Sequence, residues 1–174
     1  SFTWFKASPI GSLHLLSSSP GLIRLSLGMF LYHLAHGVFP AVFVLHAGYR
    51  FGWGEGMVGL ALAGFGVCSA IVQGLLVRPV VGRLGERNAL RLGMSMGIGS
   101  FCVMAATASP WVFWATMPAM ALWGFIGPAA QSIMTRLVGA DQQGRLQGAS
   151  SSLMGIASLI APTLFTTVFA WGID

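Results

Sequence analysis

Residues 57–77 and 92–108 contain no charged side chain, and a short basic stretch, residues 78–91, joins them. Each run is close to the roughly 20 apolar residues a helix needs to cross about 30 Å of hydrocarbon. The joining stretch carries Arg78, Arg83, Arg87 and Arg91, four of the nine cations in the chain. Two membrane helices linked by a tight basic turn is the design this implies, and the rest of the chain repeats it. Of 174 residues, 55% are hydrophobic and only 7% charged. A soluble domain carries roughly a quarter charged residues, so this chain cannot coat a water-exposed surface. An apolar core detached from a larger soluble protein is the competing reading. The expected fold is all-α, a polytopic membrane bundle of about five transmembrane helices over residues 22–46, 57–77, 89–108, 111–135 and 146–171.

A net charge of +5 raises the question of nucleic acid. The cations are scattered over apolar helices and form no basic stripe, so no nucleic-acid partner is expected, and the lipid bilayer takes its place. Lys and Arg accumulate in cytoplasmic loops. On alternation Lys6, Arg24, Arg78, Arg83, Arg87, Arg91, Arg136 and Arg145 fall on one side and Arg50 alone on the other. That asymmetry puts the N-terminus and both basic turns in the cytoplasm; the expected location, multi-pass in the inner (plasma) membrane, goes with the resemblance given below. Trp53, Trp111, Trp114 and Trp171 then gather at the outer interface. Residues 1–19 lack the continuous apolar core of a signal peptide. Phe2, Trp4, Phe5 and the run from Leu13 to Leu16 suit a segment lying along the membrane surface, leaving residues 20–174 as the transmembrane part.

Prolines place the expected irregularities. Pro40 breaks the hydrogen-bond ladder of the first span and should kink it. Pro118 and Gly127-Pro128 should bend or locally unwind the fourth. Pro162 lies within the fifth, and Pro79 marks the approach to the end of the second. Asp141 is placed to cap the fifth helix. Small residues recur every four positions at Gly59 and Ala63, at Gly66, Ala70 and Gly74, and at Gly93 and Gly97. Such spacing collects them on one helix face, where close packing in lipid needs small side chains.

Chemistry has few residues to rest on. Cys68 and Cys102 fall inside spans and behave as small hydrophobes, with neither a disulfide framework nor metal spacing. No phosphate-binding loop and no nucleophile–histidine–acid set is present, so neither an enzyme nor an ATP-driven pump is indicated. Glu86 lies between Arg83 and Arg87 at a helix junction. It can pair with either, or accept from a neighbouring helix end, and so lock two helices together; a solvated turn that only fixes topology is the plainer reading. His33 and His36 sit on one helix face, where histidine titrates near neutral pH and can pass a proton, or can simply hydrogen-bond a neighbour. Gln73, Gln131 and Ser132 either line a cavity or join helices. Trp123, distant from both interfaces, either stacks on a flat amphipathic molecule or fills the core. Met94, Met96, Met117, Met120 and Met154 suit a permissive pocket and equally a plain core.

The stretch Gly82-Arg83-Leu84-Gly85-Glu86-Arg87-Asn88-Ala89-Leu90-Arg91 resembles the signature turn of the major facilitator superfamily, G-x-L-x-[D/E]-R-x-G-[R/K]-[R/K]. Gly82, Leu84, Glu86, Arg87 and Arg91 match it, while Ala89 replaces a glycine and Leu90 a cation. Within that superfamily the chain is similar to the C-terminal half of the drug/proton antiporters of the tetracycline-efflux group. The run from Tyr49 to Trp53, and that from Gln143 to Gly148 followed by Ala161-Pro162-Thr163-Leu164-Phe165-Thr166, extend the likeness. The resemblance implies spans seven to eleven of a twelve-helix fold, with residues 1–19 as a remnant of the linker between halves and an N-terminal half as missing partner. It also implies alternating access around a small-molecule site near the midplane, driven by a proton gradient without a cofactor. Gly82, Arg83, Gly85, Glu86, Arg87 and Arg91 would then form the gating turn, and His33, His36, Gln73, Trp123 and Gln131 the pathway. The group carries an aspartate at the position of Gly97 and a histidine at that of Ser69, so either the missing half supplies the proton-coupling group, or a histidine here does, or coupling differs. A non-transporting fragment or scaffold that only packs with a partner half is the alternative.

Overall fold

A computed structural model describes residues 14–173. Residues 1–13 of the expected membrane-surface segment, and Asp174, lie outside the described residues. Among those described, the secondary structure is helical, without a strand. Five helical stretches are long and apolar enough to cross a membrane: Pro20–Phe51, Glu55–Leu84, Glu86–Ala106, Pro110–Arg136 and Ala140–Ile173. The shortest has 21 residues and rises about 31 Å, close to the hydrocarbon thickness. Each expected span lies within one of these stretches, apart from a residue or two at the end of the third, and most run beyond it. The turns are correspondingly shorter than the sequence suggests.

The stretches resolve into eight α-helices: α1 Pro20–His36, α2 Val38–Phe51, α3 Glu55–Ile71, α4 Val77–Leu84, α5 Glu86–Ala106, α6 Pro110–Ala121, α7 Ile126–Arg136 and α8 Gln143–Ile173. A π-helical turn, Val72–Leu76, joins α3 to α4, and a 3-10 turn, Leu122–Phe125, joins α6 to α7. A second 3-10 turn, Ala140–Gln142, precedes α8. The chain divides into two compact units, Ser1–Phe43 with Ser132–Asp174, and Val44–Gln131.

In the first unit α1 packs on α8. Ser19 caps α1, its hydroxyl accepting from the Leu22 N–H at 3.2 Å, and Pro20 occupies the first turn, where its missing N–H costs nothing. Leu22, Ser26 and Met29 form the buried stripe of α1, at spacings of four and three. Leu146, Ala149, Ala157 and Ala161 are buried on α8. The break between α1 and α2 falls at Gly37, three residues before Pro40. A proline ring clashes with the carbonyl four residues earlier, here that of His36, the last residue of α1. Gly37 itself keeps helical dihedrals, φ −67° and ψ −14°, and its bare Cα abuts the Ala161 side chain so closely that a Cβ would overlap it. Asp141 does not cap α8 as expected: it lies inside the preceding 3-10 turn, with Gly139 in the cap position.

In the second unit α5 packs on α6 and on the 3-10 turn after it, and α3 packs on α6. Phe51, Trp53, Phe113 and Trp114 pack edge-on or tilted against one another, with Trp53 5.3 Å from Phe113 and 6.2 Å from Trp114. The turn after α2 is thus tied by rings to the start of α6, while Trp111 points outward, 81% exposed. Val72, Ala121 and Phe125 form a core with Cys68, Val77, Val80, Leu92 and Leu122 around it. One expected packing face has no neighbour among the described residues of this chain. Gly59, Ala63, Gly66, Ala70 and Gly74 are exposed, and a Cβ on any of the three glycines would meet nothing within 4 Å. The face α3 turns inward carries Val58 and Ala61 instead, with Gly64 against the Trp114 ring. By contrast Gly93 and Gly97 are buried with Ala89 and Ser100 on one face of α5.

Candidate functional site

The basic turn is a single-residue joint. α4 ends at Leu84, α5 begins at Glu86, and only Gly85 stands between them. Arg83 therefore lies in the last turn of a helix, and Arg87 and Arg91 in the first turns of the next, not in a loop. The Gly85 N–H donates to the Val81 carbonyl at 2.9 Å, and the Gly85 carbonyl accepts from Ala89 at 3.0 Å. The Asn88 side-chain amide donates to the Leu84 carbonyl at 3.0 Å, closing the end of α4. Glu86, half-buried, sits at the positive end of the α5 dipole and Arg83 at the negative end of α4, so both charges are favourable where they stand. Gly82, Arg83, Arg87 and Arg91 are exposed.

Gly85 has φ 77° and ψ 158°, a region that is essentially glycine's alone. Gly85→Ala is expected to cost about 1–3 kcal/mol for that reason. Gly82→Ala, in open space on α4, should instead gain up to about 1 kcal/mol of helix propensity. Reversible unfolding of the two variants in detergent checks the difference; equal stabilities would mean the joint accepts a side chain.

The pathway candidates separate into two groups. His33 and His36 belong to the first unit, at the end of α1 beside the Gly37 break. The Tyr32 ring stands edge-on to His33 at 5.1 Å and tilted to His36 at 6.0 Å. His33 is half-buried and His36 exposed. Gln73, Trp123 and Gln131 belong to the second unit. Gln73 is exposed within the π turn and lies against Gly124 of the 3-10 turn: a Cβ on Gly124 would be 3.8 Å from its Cγ. Gln131, half-buried, lies two turns further along the same helical stretch. Ser132, the next residue, begins the returning part of the first unit. Among the described residues no three His, Cys, Asp or Glu side chains come together as a metal site would require.

The two irregular turns face each other, and each has a proline cause. The Pro79 ring opposes the Leu75 carbonyl in the π turn, and Pro128 opposes the Gly124 carbonyl in the 3-10 turn. In the 3-10 turn the Ile126 N–H reaches back to the Trp123 carbonyl, three residues away. Such turns within membrane helices are often functional. The fourth-span irregularity was legible from Pro118 and Pro128. The π turn was not, because Pro79 also reads as an end signal.

Trp123 is 7% exposed, so it fills the interior of its unit. Its indole covers the bare Cα of Gly97: a Cβ there would stand 2.6 Å from Cδ1, 2.8 Å from Cγ and 2.9 Å from Nε1. Phe101, one turn further on α5, meets the indole edge-on at 5.2 Å and 90°. Gly93, one turn earlier, lies under Leu122 and Ile126. No sequence signal pairs Gly97 with Trp123. Met117 and Met120 are buried in the same unit as core, while Met94 and Met154 are exposed.

Residues 25–173 match the family profile described as Major Facilitator Superfamily. The chain is 32% identical over 165 residues to the tetracycline resistance protein, class G, of Vibrio anguillarum, covering 95% of this chain and 42% of that one. It is 37% identical over 136 residues to the class E protein of Escherichia coli, covering 77% and 33% respectively. The hippocampus abundant transcript 1 protein of Mus musculus is 24% identical over 167 residues, 96% of this chain and 34% of that one. No solved structure matches. The chain spans less than half the length of the curated relatives it matches. With that match running from α1 through α8 over helices of membrane length, the chain belongs to the Major Facilitator Superfamily.

Proposed function

We propose that the chain forms part of a secondary active transporter that exports small amphipathic molecules by alternating access, driven by protons. The observation that carries this reading is the family match across residues 25–173, together with relatives named for tetracycline resistance. The partner is a preceding half, for which the share of the relatives left uncovered speaks, and residues 1–19 are the end of the linker to it. The arginine asymmetry favours a cytoplasmic N-terminus in the inner membrane.

In this reading the joint at Gly85 is the cytoplasmic gate, with Glu86 and the arginines beside it changing partners between access states. His33 and His36 in the first unit, and Gln73, Trp123 and Gln131 in the second, are the candidates for contact with the proton or the exported molecule. The described acids, Glu55, Glu86 and Asp141, all stand at helix ends or turns. The aspartate that the resemblance puts at the position of Gly97 has no room under Trp123. The proton is therefore carried by His33 and His36 or by the other half. Everted vesicles carrying the full reading frame should accumulate a neutral amphipathic dye when energised, and a protonophore should abolish that accumulation. Accumulation no greater than in vesicles without the protein would overturn the reading.

A further inference from the structure

The side of α5 that faces away from its neighbours is built in two parts. Ala89, Gly93, Gly97 and Ser100 are buried towards the interior of the second unit. At roughly 100° per residue, Arg87, Arg91, Met94, Ile98 and Cys102 fall on the opposite side, and all five are exposed. Two cations one helical turn apart therefore head an apolar strip that runs on for about 16 Å, from Arg91 to Cys102. A phospholipid has the same profile, with charge at one end and hydrocarbon below it.

Depth and charge both agree with that profile. α5 is about as long as the hydrocarbon is thick, and Arg87 and Arg91 are its second and sixth residues. A guanidinium at that level is costly against bare hydrocarbon, but its long stem carries it up to the phosphate layer. Among the described residues neither arginine makes a side-chain ion pair or hydrogen bond. Glu86 stands three residues before Ala89, and so on the packed side of the helix. Glu55 begins α3, at the far end of the hairpin that the joint closes. The two charges are thus left for a group from outside the chain, and guanidinium forks take phosphate oxygens in pairs.

We propose that Arg87 and Arg91 hold the phosphate of an anionic phospholipid, with an acyl chain lying along Met94, Ile98 and Cys102. The headgroup carries net negative charge, because a zwitterionic one brings its own ammonium to the two arginines. The site does not rest on the transport reading; it needs only that α5 crosses the membrane.

The probe is dioleoylphosphatidylglycerol, and dioleoylphosphatidylcholine is the zwitterionic control with the same chains. Native mass spectrometry of the full chain, released from neutral detergent with both lipids at equal concentration, reads which one is retained. Phosphatidylglycerol is expected to be preferred. That preference should fall about fivefold in Arg87→Gln or Arg91→Gln and about thirtyfold in the double variant, the effect of one and of two cations beside anionic lipid. Glutamine is a good helix former and both positions are exposed, so these variants keep the fold. Replacing the exposed Arg24 and Arg50 by glutamine removes the same charge elsewhere and should leave the preference in place. Equal retention of the two lipids would overturn the proposal, as would an unchanged preference in the Arg87 and Arg91 double variant. An equal loss in the Arg24 and Arg50 variant would do the same, by reporting net charge alone. Displacement of the lipid by excess inorganic phosphate would show that no acyl chain is held. A preference absent from the complete reading frame would put a protein helix on this face instead, and would also overturn it. Preference kept in a protein that exports no dye would sink the transport reading and leave the lipid site standing.

Discussion

Gly97→Ala is expected to destabilise the protein, although alanine is the better helix former by about 1 kcal/mol. The added methyl has its nearest neighbours at 2.6–2.9 Å, all in the indole of Trp123. These atoms belong to the near edge of a rigid ring held by Phe101, so they cannot swing aside as the end of a flexible chain would. Overpacking of this kind costs about 1–3 kcal/mol. Trp123→Ala alone should cost about 3–5 kcal/mol through the cavity it leaves. The double variant should be more stable than the two separate losses imply, by about 1 kcal/mol or more, because the new methyl then enters the space the indole has vacated. Unfolding of all four proteins in detergent gives the coupling directly. Strict additivity would mean that Gly97 and Trp123 do not touch.

Glu86→Gln is expected to lower dye efflux by the complete protein about 5- to 150-fold. That range is what the proposed charge contact, made in one access state and not the other, would be worth at about 1–3 kcal/mol. Glutamine keeps the size and the hydrogen-bonding atoms and removes only the charge. Losing the favourable interaction of the carboxylate with the α5 N-terminus accounts for about 0.3–1 kcal/mol of stability, too little to unfold the protein. Efflux should therefore fall at normal expression and with little change in unfolding temperature. Normal efflux in this variant would leave Glu86 a topological marker only.

Helix number, and the faults at Pro40 and Pro128, were legible in the sequence because both follow from local rules. An uncharged run of adequate length has one stable conformation in hydrocarbon, with its backbone bonds closed within the segment. A proline inside a helix opposes the carbonyl four residues before it, and so Pro40 foretold the break at Gly37, although α8 runs on through Pro162. What spacing could not reveal was whether a neighbour is present. Gly59, Ala63, Gly66, Ala70 and Gly74 share faces as their intervals require, yet those faces are exposed. Gly93 and Gly97, with the same interval, are buried. The pairing of Gly97 with Trp123 was equally hidden, since it depends on how α5 meets the 3-10 turn. Among the candidate residues, composition picked out Trp123 and Gln73 for their polarity or size in mid-span. That the first covers the bare Cα of Gly97 and the second lies against Gly124 is visible only in the structure.

The joint at Gly85 has a mechanical meaning. With one residue between them, and hydrogen bonds reaching Gly85 from both α4 and α5, the two helices have no slack. A tilt imposed on one is therefore expected to reach the other, as through a stiff elbow. Lengthening the joint by even a few flexible residues would leave both helices intact while severing the transmission between them.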